Sequence, residues 1–158
     1  TGTPRFHPAN RKFSRPATAS SGAWRFTSYR IDPNLLKPRK GFWTLPAGFL
    51  EEHESTEDGA RREAYEEATA HIVIEQLLAV YNVPRISQVQ LIYKAHLTVP
   101  VFSPGVESLD VALFSWDEIP WDELAFPSVV WGLNQFPEID GKGPFSPFTN
   151  PAGETVSR

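Results

Sequence analysis

The segment formed by residues 48–70 constrains what this 158-residue chain can fold into more than any other part of it. Glu63, Glu66 and Glu67 are spaced i, i+3 and i+4, so on a helix they share one face. Like charges this close repel one another, and a fold keeps them together only where something positive lies against them. Carboxylate oxygens are hard ligands, so the pattern predicts Mg²⁺ or Mn²⁺ as the counter-charge, shared with substrate phosphates.

Capping and pairing signals predict the helix that carries this acidic face. Ser55 precedes it as an N-cap, and Asp58, three residues further on, has the capping-box spacing. Arg62 pairs with Glu54 if the turn between them folds back, and the pair then braces the acidic face. Ahead of the helix, the tight loop that ends at Gly48 offers backbone carbonyls as further metal ligands.

The spacing of these residues resembles the signature of the Nudix hydrolases. That signature reads Gly, five residues, Glu, seven residues, then Arg-Glu-apolar-any-Glu-Glu-any-Gly-apolar. The positions that match it in register are Gly48, Glu54, Arg62, Glu63, Ala64, Glu66 and Glu67. The chain departs from it at Thr69, where the signature has Gly, and at Ala70, a small apolar residue. A solvated acidic helix face is the alternative interpretation, and the long interval between Glu54 and Arg62, held in register, disfavours it.

Further segments resemble one branch of the family, which contains bacterial proteins and the plant chloroplast enzymes that cleave FAD and ADP-ribose. They are residues 38–49, 86–89, 103–109 and 118–126. In that branch the signature commonly ends Glu-Glu-Ala-any-Ala, as it does here, so the missing glycine is a mark of the branch. The resemblance covers residues 37–136. It implies a Nudix-like α/β/α sandwich with a mixed sheet, and a substrate such as FAD or ADP-ribose.

The chain therefore divides into a Nudix domain at residues 37–136 and two flanking segments. Residues 1–36 are basic and show one short strand-like patch, at 23–29, so they are interpreted as an irregular arm or as incomplete first strands. An organelle transit segment and a deletion that removed the first strands are the alternatives. Residues 137–158 are rich in Pro and Gly early on and are expected to form a flexible tail.

Strand and helix signals after the acidic segment complete the expected layers. Apolar runs and alternation predict strands at residues 71–83, 88–99 and 109–116, and a short helix at 127–136. The second of these strands is expected to bury one face, formed by Val89, Leu91, Tyr93, Ala95 and Leu97.

Metal-assisted hydrolysis of a diphosphate gives the acidic residues their expected roles. Glu63 and Glu67 are the first candidates for metal ligands, with Glu66 as a shared ligand and Arg62 as the charged residue beside them. The general base is expected from another part of the chain. Glu107, in a Pro-Gly loop ahead of a strand, is the candidate, because a glutamate from this part of the fold has that role in related ADP-ribose hydrolases. A solvated loop acid is an equally good interpretation of it.

Candidate substrate contacts lie outside the acidic face. Arg39 and Lys40 suit a phosphate, Gln88 suits a ribose or base edge, and Phe49 or Trp43 suits a stacked base. Aromatic residues such as Trp43 are more often core than base platforms, so packing is the favoured interpretation for it.

Composition and charge narrow the classes of function. Net charge is −4, so no general polyanion-binding surface and no nucleic-acid partner is expected. No apolar run has the length of a membrane span, and the expected location is the cytoplasm, or an organelle if the basic segment is a transit peptide. The resemblance implies a small-molecule nucleotide substrate and a homodimer. Two classes stay open, an active metal-dependent hydrolase and a catalytically silent Nudix fold that binds a nucleotide or a partner.

Overall fold

The computed structural model describes residues 26–31, 41–106, 108–139 and 141–154, and for residues 26–31 it describes the backbone alone. In these ranges the strands are β1 (Phe26–Ile31), β2 (Trp43–Thr44), β3 (Ile72–Val83), β4 (Gln88–Leu97) and β5 (Ser108–Phe114). The α-helices are α1 (Thr56–Ala68) and α2 (Pro127–Gln135). Short 3₁₀ turns span Pro84–Ile86, Trp116–Glu118, Trp121–Glu123 and Phe136–Glu138.

The strands form two antiparallel sheets. β1 lies between β2 and β5 in one of them. β3 and β4 form the other, a long hairpin that runs from the Ile72–Leu97 pair to the Val83–Gln88 pair. Among the described residues, parallel pairing is confined to isolated bridges, one of which joins β3 to Phe148. The sequence predicted a mixed sheet, and in the described residues the parallel pairing consists of these bridges alone.

A strand lies inside the N-terminal region expected to be an irregular arm or to lack its first strands. β1 occupies the centre of its sheet and overlaps the strand-like patch predicted at residues 23–29. Its sequence, Phe-Thr-Ser-Tyr-Arg-Ile, is rich in aromatic and β-branched residues, which suit a strand even without a long apolar run. The prediction of an irregular arm is therefore wrong for residues 26–31. Residues 1–25 and 32–36 lie outside the described ranges.

The two helices pack on opposite faces of the β-structure. Val111 and Ala112 are neighbours in β5, so their side chains point to opposite faces of the sheet. Val111 belongs to a buried cluster with Ala64 of α1, whereas Ala112 packs against a cluster that contains Val129 of α2. This arrangement is the α/β sandwich that the sequence predicted, with helices as the outer layers.

The capping prediction for α1 is confirmed. The helix begins at Thr56, and Ser55 Oγ accepts a hydrogen bond from the backbone N–H of Asp58 at 3.1 Å. The three later strands and the helix α2 also begin and end within two residues of their predicted limits. Neither α-helix within the described ranges combines the length and the apolar character needed to cross a bilayer.

The C-terminal segment, expected to be a flexible tail, instead lies along β3. Phe148 N–H donates to the carbonyl of Leu78 at 2.8 Å, and its own carbonyl accepts from Val80 N–H at 2.9 Å. The Asn150 side chain bonds to both the N–H and the carbonyl of Asn82, each at 2.9 Å. A free tail is the wrong expectation for the described residues 141–154, because they provide backbone partners for the edge of β3.

The β3–β4 hairpin extends beyond α1. The Tyr93 hydroxyl lies 2.6 Å from that of Thr56, the first residue of the helix. Nearer the start of β4, Val89 and Leu91 are exposed, so the buried face predicted for this strand begins only near Tyr93. The reason is length. A helix of 13 residues spans about 20 Å, whereas the strand β3 of 12 residues spans about 40 Å.

Candidate active site

The acidic face predicted for α1 is present, and the chain before the helix folds against it. Glu67 is 8% exposed, and its Oε2 accepts a hydrogen bond from the backbone N–H of Ala47 at 2.8 Å. Glu63, one turn earlier, packs against Gly48, where a Cβ atom would stand 1.9 Å from Glu63 Oε1. A side chain at position 48 would displace this carboxylate, so glycine leaves Glu63 in its observed position.

Arg62 binds its neighbours with all five of its guanidinium N–H groups. Nε and Nη2 donate to the two carboxylate oxygens of Glu54 at 2.9 and 3.0 Å. Nη1 donates to Glu63 at 2.7 Å and to Glu66 at 3.0 Å, and Nη2 also donates to the carbonyl of Phe49 at 2.9 Å. The pairing of Arg62 with Glu54 is confirmed, and the same guanidinium also binds two carboxylates of the acidic face.

This network shifts the pKa values of both partners of the ion pair. The hydrogen bond from Arg62 is the largest of the effects that hold the pKa of Glu54 below its ordinary value of 4.5, and the N–H of Glu51 adds to it. The bonds to Glu54 and Glu63 raise the pKa of Arg62 above its ordinary value. Both members of the pair are therefore charged throughout the neutral range.

We expect the Glu54–Arg62 pair to stabilise the fold at neutral pH and to lose that effect in acid. The pKa of Glu54 is lower in the folded chain than the ordinary 4.5, so its stabilisation is present above that value and disappears as the pH falls through the folded-state pKa. Thermal melts of Glu54→Gln should lie below those of the wild type at pH 7 and converge with them once the pH falls below the folded-state pKa of Glu54. Equal melting temperatures at pH 7 would contradict this.

A second loop docks on the carboxyl end of α1, where helical carbonyls lack intrahelical partners. Gly105 N–H and Ser108 Oγ both donate to the carbonyl of Glu67, at 3.0 and 2.6 Å. A Cβ atom at Gly105 would stand 1.7 Å from the carbonyl oxygen of Glu66, so this approach requires glycine. Sequence reasoning assigned no role to Gly105 or Ser108, and the Pro-Gly pair was the signal for such a turn.

The donors on the acidic face suit a small hard cation without forming a closed cage. Within the described ranges, no three acidic or histidine side chains are arranged as a complete metal site. Mg²⁺ is usually held by one or two carboxylates together with waters and substrate phosphates, so a complete protein cage is not required. Glu63 beside the bare backbone of Gly48, with the buried carboxylate of Glu67 one turn away, fits such an ion.

A family model described as the NUDIX domain matches residues 27–130, well over half of the chain. The chain belongs to the Nudix family. The match begins within β1, which makes that strand part of the Nudix domain and moves its start upstream of residue 37. As a Nudix hydrolase, the protein is an enzyme that acts on small-molecule nucleotides.

Individual relatives agree with the Nudix assignment. A MutT-like protein of Streptomyces ambofaciens is 30% identical over 118 residues, which cover 73% of this chain and 74% of that protein. A Nudix hydrolase of Nitrosomonas europaea is 40% identical, with a TM-score of 0.70 over 78% of this chain and 70% of its own. An ADP-ribose pyrophosphatase of Streptococcus suis, 19% identical with a TM-score of 0.62, covers 78% of this chain and 88% of its own and shares the fold. These relatives do not single out the branch that cleaves FAD and ADP-ribose, which stays a prediction.

Three of the predicted Nudix site residues, Arg39, Lys40 and Glu107, lie outside the described residues. Phe49 does lie beside the acidic face, where its carbonyl is bound by Arg62 and its side chain is 78% exposed. Trp43 is buried and packs edge-on against Phe114, as the packing interpretation predicted.

Gln88 lies away from the acidic face. It pairs with Val83 at the end of the hairpin where β4 begins. Five positions separate it from Tyr93, the residue that contacts the start of α1, and this corresponds to about 17 Å along the strand. The structure therefore does not bring Gln88 to Glu63, Glu66 and Glu67.

Proposed function

We propose that this Nudix hydrolase cleaves the diphosphate of a nucleoside diphosphate linked to a second group, with ADP-ribose and FAD as the substrate class. Water attacks one phosphorus atom and a P–O bond of the diphosphate bridge breaks. The products are AMP and a phosphorylated second group, either ribose 5-phosphate or FMN. Support comes from the residue patterns at 38–49, 86–89, 103–109 and 118–126, which resemble the branch that cleaves these compounds. Two structures of the same fold have related names, an ADP-ribose pyrophosphatase and a UDP-X diphosphatase.

The observation that carries the proposal is that contacts within the chain hold the carboxylates of the acidic face in place. The backbone N–H of Ala47 holds Glu67, the bare backbone of Gly48 accommodates Glu63, and Arg62 binds Glu63 and Glu66 together. A site whose groups are already held needs less reorganisation during reaction. A solvated acidic helix face has no need of these contacts.

Mg²⁺ or Mn²⁺ is the proposed cofactor of this face. When bound, a divalent ion neutralises charge on the diphosphate and lowers the pKa of water. Glu63 and Glu67 would hold it first, Glu66 would be a shared ligand, and the carbonyl of Gly48 would be a further one. Arg62 retains its bond to Glu54 in this arrangement and keeps the helix face and the preceding loop together.

Three further roles belong to the same proposal. Glu107 is the general base, and its support comes from its neighbours along the chain, because Gly105 and Ser108 are both bonded to the Glu67 carbonyl. Arg39 contacts a substrate phosphate. Phe49 stacks on the nucleoside, because its side chain is exposed and its carbonyl is bound by Arg62 beside the acidic face. A homodimer is also proposed, and light scattering on the purified chain tests it.

The substrate proposal is tested by incubating the purified chain with ADP-ribose, FAD, NADH and a UDP-linked sugar, with and without Mg²⁺ or Mn²⁺. We expect AMP to be released in the presence of metal, fastest from ADP-ribose or FAD. UMP from the UDP-linked sugar as the fastest reaction would place the substrate class elsewhere in the family. No nucleotide product from a folded chain would favour the catalytically silent alternative.

We also expect Mg²⁺ to raise the melting temperature of the protein without any substrate present. An ion that binds the folded chain stabilises it by mass action, by about 2.7 kcal/mol at a hundredfold excess over its dissociation constant. A melting temperature that does not respond to Mg²⁺ or Mn²⁺ would contradict the metal assignment. Ca²⁺ at equal ionic strength serves as a control for general salt effects, because it is larger and prefers more oxygen ligands.

A further inference from the structure

Thr69 stands where the Nudix signature has glycine. Its backbone conformation explains why the signature has glycine at this position. It follows the last residue of α1 and adopts the left-handed conformation, with φ +46° and ψ +26°. This conformation is unfavourable for a β-branched residue, whereas glycine adopts it freely. A residue held in a sparsely populated conformation persists only where its surroundings compensate, and such residues concentrate at functional sites.

The side chain of Thr69 makes contacts that glycine cannot make. Its hydroxyl lies 2.9 Å from the carbonyl oxygen of Ser103 and 2.6 Å from Ser103 Oγ. Thr69 Oγ1 also accepts a hydrogen bond from the Ser103 N–H at 2.8 Å. The same N–H lies 3.0 Å from the carbonyl of Ala68, the last residue of the helix. Thr69 therefore ties the start of the loop formed by residues 103–106 to the carboxyl end of α1.

The tied loop bears directly on Glu67. Two residues after Ser103, the N–H of Gly105 donates to the Glu67 carbonyl at 3.0 Å. The approach is close enough that a Cβ atom at Gly105 would stand 3.1 Å from Glu67 Cα. The carboxylate of the same Glu67 is the buried group that accepts from Ala47 N–H. A shift of the loop therefore moves the backbone from which this carboxylate projects.

We propose that Thr69 is a positioning residue, whose hydroxyl anchors the 103–106 loop on the end of α1 and thereby fixes Glu67 for hydrolysis. The proposal rests on the proposed function of this site and explains why the chain retains a strained threonine where glycine would be relaxed. Thr69 acts through Glu67, so it is expected to change the rate of the reaction more than the affinity for substrate.

Thr69→Gly removes both the backbone strain and the hydroxyl anchor, and a control that relieves strain alone separates the two effects. Relief of strain offsets the lost hydroxyl contacts, so the melting temperature should stay within about 3 °C of the wild type. The kcat on the best substrate should fall about tenfold, with a change in KM of less than about twofold. Hydrogen exchange at the amides of Ser103 and Gly105 should become faster. Thr69→Ser keeps the hydroxyl and should restore both kcat and slow exchange.

Ser87→Gly is the matched control. Ser87 is also left-handed, with φ +53°, and lies in the turn between β3 and β4. Its replacement relieves a similar strain away from the acidic face. We expect no change in kcat and no change in exchange at Ser103 or Gly105.

Two outcomes for Thr69→Gly would overturn the proposal. Exchange at Ser103 and Gly105 as slow as in the wild type would show that the hydroxyl is not an anchor. Faster exchange with an unchanged kcat would show that the anchor does not position Glu67. A wild-type chain without turnover would overturn the proposed function instead, and the exchange rates would still decide whether the anchor exists.

Discussion

Replacing Glu67 by glutamine is expected to abolish metal-dependent turnover while the fold stays intact. Glutamine has nearly the same shape, and its amide oxygen can still accept the hydrogen bond from Ala47 N–H. The variant loses the negative charge that a divalent ion needs from its ligand. We expect kcat/KM to fall by about a thousandfold, measured as AMP release at saturating Mg²⁺. The melting temperature without metal should change by less than about 3 °C.

Glu57→Gln is the matched control for this substitution. Glu57 lies in the first turn of the same helix, is exposed, and pairs with Arg61. Its replacement removes one charge from α1 outside the acidic face, so turnover and the melting response to Mg²⁺ should stay as in the wild type. Glu67→Gln should show a smaller Mg²⁺ response. Normal turnover by Glu67→Gln would show that the metal assignment is wrong.

The parts of the site that the sequence predicted are those fixed by local spacing. The helical period alone places Glu63, Glu66 and Glu67 on one face. The cap is also local, because Ser55 accepts its hydrogen bond from Asp58, three residues later. The pairing of Arg62 with Glu54 depends on one short turn. Contacts of this kind are determined within about twenty residues, so the pattern of the chain is enough to predict them.

The docked loop and the C-terminal segment depend on contacts between distant parts of the chain. Ser108 donates to the carbonyl of Glu67 across 41 positions, and Asn150 bonds to Asn82 across 68. No local pattern shows that a helix carbonyl or a strand edge will need these partners. The glycine at position 105 indicated that the backbone approaches another group closely, but it did not indicate which residue.

The strand β1 shows a different limit of sequence reasoning. Its aromatic and β-branched residues suit a strand, but its six residues lack the apolar run that marks a central strand of a sheet. Its place between β2 and β5 supplies hydrogen-bonding partners on both sides, and the sequence pattern does not show these partners. For β4 the alternation of apolar residues correctly predicted a strand. The same pattern could not show that α1 is too short to cover Val89.

Arg62→Ala is expected to be the most destabilising single substitution at this site. The change removes five hydrogen bonds and leaves Glu54, Glu63 and Glu66 without the cation that they share. Because the side chains of Glu54 and Glu63 are only 13% and 15% exposed, water screens the repulsion between these two poorly, whereas Glu66 is well solvated. We expect the melting temperature at pH 7 to fall by about 5–10 °C. Arg62→Lys should lie between this variant and the wild type, because an ammonium group cannot reproduce the planar five-bond pattern.

Arg61→Ala provides the control, because Arg61 precedes Arg62 on the same helix and also binds carboxylates. Its partners, Glu57 and Asp58, are exposed and lie one turn away, so the pair is a surface pair of small effect. We expect its melting temperature to stay within about 2 °C of the wild type. Saturating Mg²⁺ should raise the melting temperature of Arg62→Ala more than that of Arg61→Ala, because the ion neutralises the carboxylates that Arg62 leaves behind. If the two variants melt alike, Arg62 contributes no more than a surface ion pair, and the acidic face must be held by the contacts of Ala47 and Gly48 alone.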